Sequence, residues 1–140
     1  MGQGSIRYSG GLVDMTPRFW QTTTVAASPS AGVITAIASL LISGDSAICS
    51  GVWLTAQAAF TAGTAAVTAL LEIRETSTTG TLIASSGLVT VVATKLFTQS
   101  IQGFDTAAVT PGQVYKLCLT MGSGSATSTV SSLQLAALVI

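Results

Sequence analysis

An all-β fold is what this sequence predicts: an antiparallel sandwich of about eight strands, preceded by an extended amino-terminal arm. Three features of the chain point there. Thr, Val and Ile dominate the apolar runs, and β-branched side chains suit a pleated, half-buried surface. Several of those runs alternate with period two, so that one face of a strand is apolar and the other is not. Turn-forming clusters interrupt the runs roughly every 8–12 residues, the spacing of all-β sandwiches and barrels.

Residues 1–30 have no sustained period, contain two of the three prolines, and carry two of the five Lys and Arg residues. They are expected to form an extended arm, with residues 31–140 as the sandwich domain. Arg7, Tyr8, Arg18, Phe19 and Trp20 are the arm's candidate interface residues, because Arg and aromatic side chains dominate interface energetics. The alternative is that Phe19 and Trp20 close one end of the chain's own sandwich.

The first strand is expected at 33–42, VITAIASLLI, apolar on both faces and therefore an interior or interface strand. Runs at 47–57 and 65–75 follow, the second with Val67, Ala69, Leu71 and Ile73 on one face and Thr68, Leu70, Glu72 and Arg74 on the other. Short strands at 81–85 and 87–93 precede a longer one at 96–104, in which Phe97, Gln99 and Ile101 oppose Leu96, Thr98, Ser100 and Gln102. At 113–121, Tyr115, Leu117, Leu119 and Met121 alternate with Lys116, Cys118 and Thr120, and the last run spans 129–139. Gly112 after Pro111 suits a tight turn with a positive φ at the glycine. Eight runs match a jelly roll or a similar Greek-key sandwich.

Composition narrows the function. Of 140 residues, 49% are hydrophobic and 7% charged, with a net charge of +0 and no histidine. Ordinary soluble domains are about a quarter charged. So few charges protect poorly against self-association, which implies that neighbouring protein covers part of the surface. No basic patch is present to follow phosphates, so no nucleic-acid partner is expected. A membrane span is not expected either. The run before Gly44 is broken by 28–32 and is too short, and the run from 46 to 71 lacks Lys or Arg flanks. The amino terminus lacks the basic start and sustained apolar stretch of a secretory leader.

Catalysis is not expected, nor any cofactor or metal. Without histidine there is no Ser-His triad and no His ligand. The carboxylates are Asp14, Asp45, Glu72, Glu75 and Asp105, and the spacing of Glu72 and Glu75 sends them to opposite faces of a strand. No motif supports a Ser-Lys mechanism through Lys95 or Lys116. Arg74, Lys95 and Lys116 are expected at solvated or rim positions. Trp53, between Val52 and Leu54, is expected in the core, and Tyr115 is expected to bury its ring with its hydroxyl bonded to backbone. Cys49 and Cys118 either pair across the sandwich or behave as two buried small hydrophobes, the second being favoured.

Residues 65–121 carry one further pattern. Gly80, Leu82, Ile83, Ala84 and Gly87, followed by Gly112, Tyr115 and Leu117, resemble the β-sandwich modules of bacteriophage decoration, head-fibre and tail-fibre proteins. The module often has tryptophan after the tyrosine, where this chain has Lys116. The resemblance implies a non-enzymatic virion protein, assembled in the host cytoplasm and placed on the outer capsid surface. It implies a capsid decoration (cement) protein forming a homo-oligomer, a trimer by preference, with the major capsid or another virion protein as partner. The alternative is a fibre or tail-tip module that binds a host receptor or carbohydrate. Only a short arm precedes the sandwich, and the loops are mainly Gly, Ser and Thr, which favours the first.

Overall fold

The structure, a computed structural model, describes residues 5–8, 11–14, 18–42, 51–106, 112–122 and 128–139, with side chains from Phe19 onward. The described strands are β1 (Ser5–Tyr8), β2 (Gly11–Asp14), β3 (Arg18–Thr22), β4 (Thr35–Leu41), β5 (Val52–Thr61) and β6 (Val67–Glu75). They continue with β7 (Leu82–Ser85), β8 (Val89–Val91), β9 (Leu96–Asp105), β10 (Val114–Met121) and β11 (Thr129–Val139). All pairings between them are antiparallel. Among the described residues no helix is long and apolar enough to cross a membrane.

β1 and β2 pair with each other as a hairpin. The other nine strands form two sheets. One runs β4-β10-β6, with β7 and β8 sharing its far edge, and the second runs β3-β11-β5-β9. The pairs are nested along the chain: β3 with β11, β4 with β10, β5 with β9, and β6 with β7 and β8. Alternate pairs fall in alternate sheets, as when one long antiparallel hairpin is rolled up. This is jelly-roll topology with eight strand positions.

Nine strands fill eight positions because β7 and β8 are one edge strand, interrupted. β7 lies against Glu72–Arg74 of β6 and β8 against Val67–Ala69. Between them the Ser86 N–H donates to the Leu71 carbonyl at 2.9 Å, and the Leu71 N–H donates to Ser86 Oγ at 3.0 Å. Ser86 thus keeps contact with β6 across the break.

Period two fixes what each strand buries. Val67, Ala69, Leu71 and Ile73 of β6 and Tyr115, Leu117, Leu119 and Met121 of β10 face the interior, as their alternation predicts. Phe60, Leu54 and Leu135 meet them from the second sheet. The two sheets approach closely where β9 passes β7. A Cβ on Gly103 would stand 2.9 Å from both the Ala84 Cβ and the Ile83 carbonyl, so only glycine lets the sheets close there. Gly112 has φ +87°, in keeping with the tight turn expected of it.

Two expectations change. The strand predicted at 33–42 is an edge strand, and its two-faced apolar character comes from a β-bulge. The register with β10 shifts between Leu117 and Cys118, where Ala38 and Ala36 are the partners and Ile37 is the extra residue. Ile37, Ala38, Leu40 and Ile42 are buried while Ser39 and Leu41 are exposed. The loop before it shields this edge, the Ala26 N–H donating to the Ile37 carbonyl at 2.8 Å. Second, a strand lies within the stretch read as an arm. Arg18–Thr22 pairs with β11 from Leu135 to Val139 and supplies the first position of the jelly roll. Five residues are too few to display a period, so only the pairing reveals it.

Candidate interaction surface

The outer face of the second sheet is built by residues that alternate away from the core. On β5 these are Trp53, Thr55, Gln57 and Ala59; on β9 they are Leu96, Thr98, Ser100, Gln102 and Phe104. Register aligns them into rows. One row is Phe19–Leu138–Trp53–Phe104, crossing all four strands. The next is Gln21–Ala136–Thr55–Gln102, and beyond it Gln134, Gln57 and Ser100 stand side by side. No described side chain on this face is charged.

The first row is an apolar ridge. Phe19 is 59% exposed, Trp53 47% and Phe104 36%. The Trp53 and Phe104 rings lie 5.0 Å apart at 53°, a tilted pair that contributes about 0.5–1.5 kcal/mol beyond area burial. At the other end of the same face lies a depression of about 380 Å³, lined by Gln57, Ala59, Leu96, Thr98, Ser132, Leu133 and Gln134. Ala59 leaves room between longer neighbours, and a bulge in β11 between Val130 and Ser132 lies beside it.

Trp53 was expected in the core, and the structure corrects this. Val52 and Leu54 occupy the inward positions of β5, so the residue between them must point outward. The apolar neighbours that suggested burial are therefore the reason for exposure. Phe19 and Trp20 separate in the same way: Phe19 is on the ridge, and Trp20 packs against the core. Arg18 pairs with Val139 along the backbone. The backbones of Arg7 and Tyr8 lie in the β1–β2 hairpin, opposite Leu12 and Gly11, and their side chains fall outside the described residues. Phe104 and Leu138 went unnoticed in the sequence, because only register joins them to Phe19 and Trp53.

The outer face of the first sheet is different. There Lys116 pairs laterally with Ser39 and Arg74, and Cys118 with Glu72. Arg74 Nε donates to Glu72 Oε2 at 2.5 Å and Arg74 Nη1 to the Gly80 carbonyl at 2.9 Å. The hydrogen bond to Glu72 raises the Arg74 pKa further. Cys118 is a free, buried thiol whose pKa is pushed up to about 11, first by burial and then by the Glu72 charge. Cys49 lies outside the described residues.

The remaining polar cluster joins the two sheets from within. The Tyr115 hydroxyl donates to Asp105 Oδ2 at 2.6 Å, a side-chain partner where the sequence predicts backbone. Tyr115 belongs to the first sheet and Asp105 to the second. Glu75, opposite Tyr115 on β6, also hydrogen bonds Asp105, and its carboxyl pKa is raised by that bond, then by burial and by the Asp105 charge. Glu72 and Glu75 lie on opposite faces, as their spacing predicts. Among the described residues no group of three His, Cys, Asp or Glu side chains is placed to hold a metal ion.

These features define an antiparallel jelly roll with one neutral, partly aromatic face. The chain is similar in fold to a chain in a structure of infectious bursal disease virus, Gx strain, with a TM-score of 0.57 and 14% identity. The likeness covers 97% of this chain and 37% of that one, so this chain spans little more than a third of that neighbour's length. No family profile matches the chain, and no curated protein matches it by sequence.

Proposed function

We propose that the protein is a non-enzymatic structural component of a virus particle, and within that class a bacteriophage capsid decoration (cement) protein. The observation that carries this is the neutral face of the second sheet. A face without charge and with a ridge of exposed aromatics is poorly suited to stand in water and well suited to be covered by protein. The jelly-roll likeness to the virus chain and the residues shared with phage sandwich modules support the same reading. In the particle the protein would sit on the outer surface, after assembly in the host cytoplasm. It would act as a homo-oligomer bound to the major capsid protein or another virion protein.

Residues ahead of β3, with Arg7 and Tyr8, would reach the shell as an arm. The truncation that tests this must stop short of β3, whose loss would remove a strand position. Capsids assembled without this chain and mixed with the purified protein should carry it down on sedimentation. Deleting residues 1–16 should abolish co-sedimentation while leaving the denaturation midpoint near that of the full chain. Full-length chain that stays in the supernatant would overturn the capsid role. Undiminished binding after the deletion would overturn the arm.

One observation favours a second reading, a receptor or glycan module. The exposed Trp53 and Phe104 rings stand on the same face as a depression lined by Gln, Ser and Thr. Stacking plus neutral hydrogen bonding is a way to hold a sugar. Saturable binding to a glycan array that Trp53→Ala abolishes would put this reading first.

A further inference from the structure

We propose that the neutral face of the second sheet pairs with the same face of a second copy of this chain, about a two-fold axis that crosses the strands between Thr55 and Gln57. This deepens the capsid reading by naming the neighbour that covers the face, and it rests on that reading only for its place in a particle.

The geometry points to a second copy for three reasons. The first is shape. The ridge and the depression lie on one face at opposite ends of β5, with Trp53 on the ridge and Ala59 at the depression. Six residues of strand separate them, about 20 Å. A half-turn about the stated axis reverses the strand direction and lays each ridge over the other copy's depression. Trp53 then meets the space above Ala59, and the reverse contact is identical. Such self-complementarity is the defining property of a two-fold interface.

The second reason is charge. Two copies of a face with no charged side chain meet without repulsion and leave no ion unpaired. A partner presenting Lys, Arg, Asp or Glu would bury those charges against amides and rings, at a cost. Gln21, Gln57, Gln102 and Gln134 occupy the middle of the face. Each amide has donors and an acceptor, so a glutamine field satisfies a copy of itself. One such bond already exists within the chain, Gln134 Nε2 donating to Gln21 Oε1 at 3.2 Å.

The third is area. Four strands at about 4.8 Å spacing and up to about 30 Å long make a face of about 600 Å². A pair buries about 1,200 Å² in total, which reaches the lower edge of stable, specific interfaces. The contact is two-fold and gives an even number of chains, whereas the resemblance to phage modules implies a trimer by preference.

The test is the solution mass of the full chain by light scattering over a concentration series, with two exposed mid-face substitutions. The wild type should approach twice the 14.0 kDa of one chain. Thr55→Arg and Gln57→Glu each place a charge opposite a neutral side chain, and each alone should give half the wild-type mass, with the denaturation midpoint that the wild type shows when diluted to a single chain. Because residue 55 of one copy faces residue 57 of the other, an equimolar mixture of the two variants should regain the doubled mass as a one-to-one pair. A wild type that stays a single chain, a mass of three chains, a variant that still pairs, or a mixture that stays separate would each overturn the pairing. Its failure is distinguishable from failure of the capsid role: a single chain that co-sediments with capsids loses only the pair, and a pair that does not co-sediment loses only the capsid role.

Discussion

The two outer faces of this sandwich are made from the same kind of strand and behave as opposites. On the first sheet, Lys116, Arg74 and Glu72 meet across β10 and β6, with Arg74 tied to both Glu72 and the Gly80 carbonyl. On the second sheet the corresponding positions hold Gln, Thr, Ser and a row of aromatic and aliphatic side chains, with no charge among those described. The chain has only ten charged residues, and it spends three of them on one face. On the first face Glu72 and Cys118 are buried and the charge is held in an ion pair, whereas the second face exposes neutral side chains and rings suited to contact.

The substitution with the largest expected effect acts between the faces. Tyr115→Ala removes a fully buried ring and the hydroxyl that links the first sheet to Asp105 on the second, and should lower stability by about 3–5 kcal/mol. Urea denaturation measures it, and an unchanged midpoint would mean that the ring does not hold the sheets together. Trp53→Ala should cost the chain itself only about 1 kcal/mol, from the lost pair with Phe104. Its main effect should be on whatever the neutral face binds. If the midpoint falls as far as in Tyr115→Ala, the ridge is core and the contrast between faces fails.

A third prediction concerns pH. The Glu75 carboxyl has a raised pKa in the folded chain, through its bond to Asp105, its burial and the Asp105 charge. The folded state therefore binds this proton more tightly than the unfolded state does. The stability it contributes is fully present below the ordinary carboxylate range and is lost as pH rises through the raised value. Denaturation midpoints should fall as pH rises above the ordinary carboxylate range, and Glu75→Gln should flatten that slope. An equal slope in the variant would remove Glu75 as its source. On the charged face, Arg74→Ala leaves the Glu72 side chain, only 8% exposed, without its ion-pair partner and should cost about 1–3 kcal/mol. A denaturation midpoint equal to that of the unaltered chain would show that water screens the pair.

Much of the fold was legible because a half-buried strand writes its burial as period two. The predicted inward sets of β6 and β10 are the observed ones, and the runs at 96–104 and 129–139 end within a residue of the observed strands. The failures have local causes. β4 read as apolar on both faces because the bulge at Ile37 shifts its phase, and a bulge adds a residue without any mark in composition. β3 is too short to show a period. Trp53 reads as core from its apolar neighbours Val52 and Leu54, although the alternation of its own strand places it outside.

What the sequence determined alone is therefore the alternation along each strand, the turns between strands, and the scarcity of charge. Each depends on neighbours in the chain, where side-chain direction follows from backbone geometry. Tertiary structure decided which strands lie side by side. Only register sets Phe19, Leu138, Trp53 and Phe104 in one row, and Tyr115, Glu75 and Asp105 in one cluster, from positions up to 119 residues apart. A row across a sheet is a relation between distant segments, and it comes into being only when nested antiparallel pairing has fixed every partner.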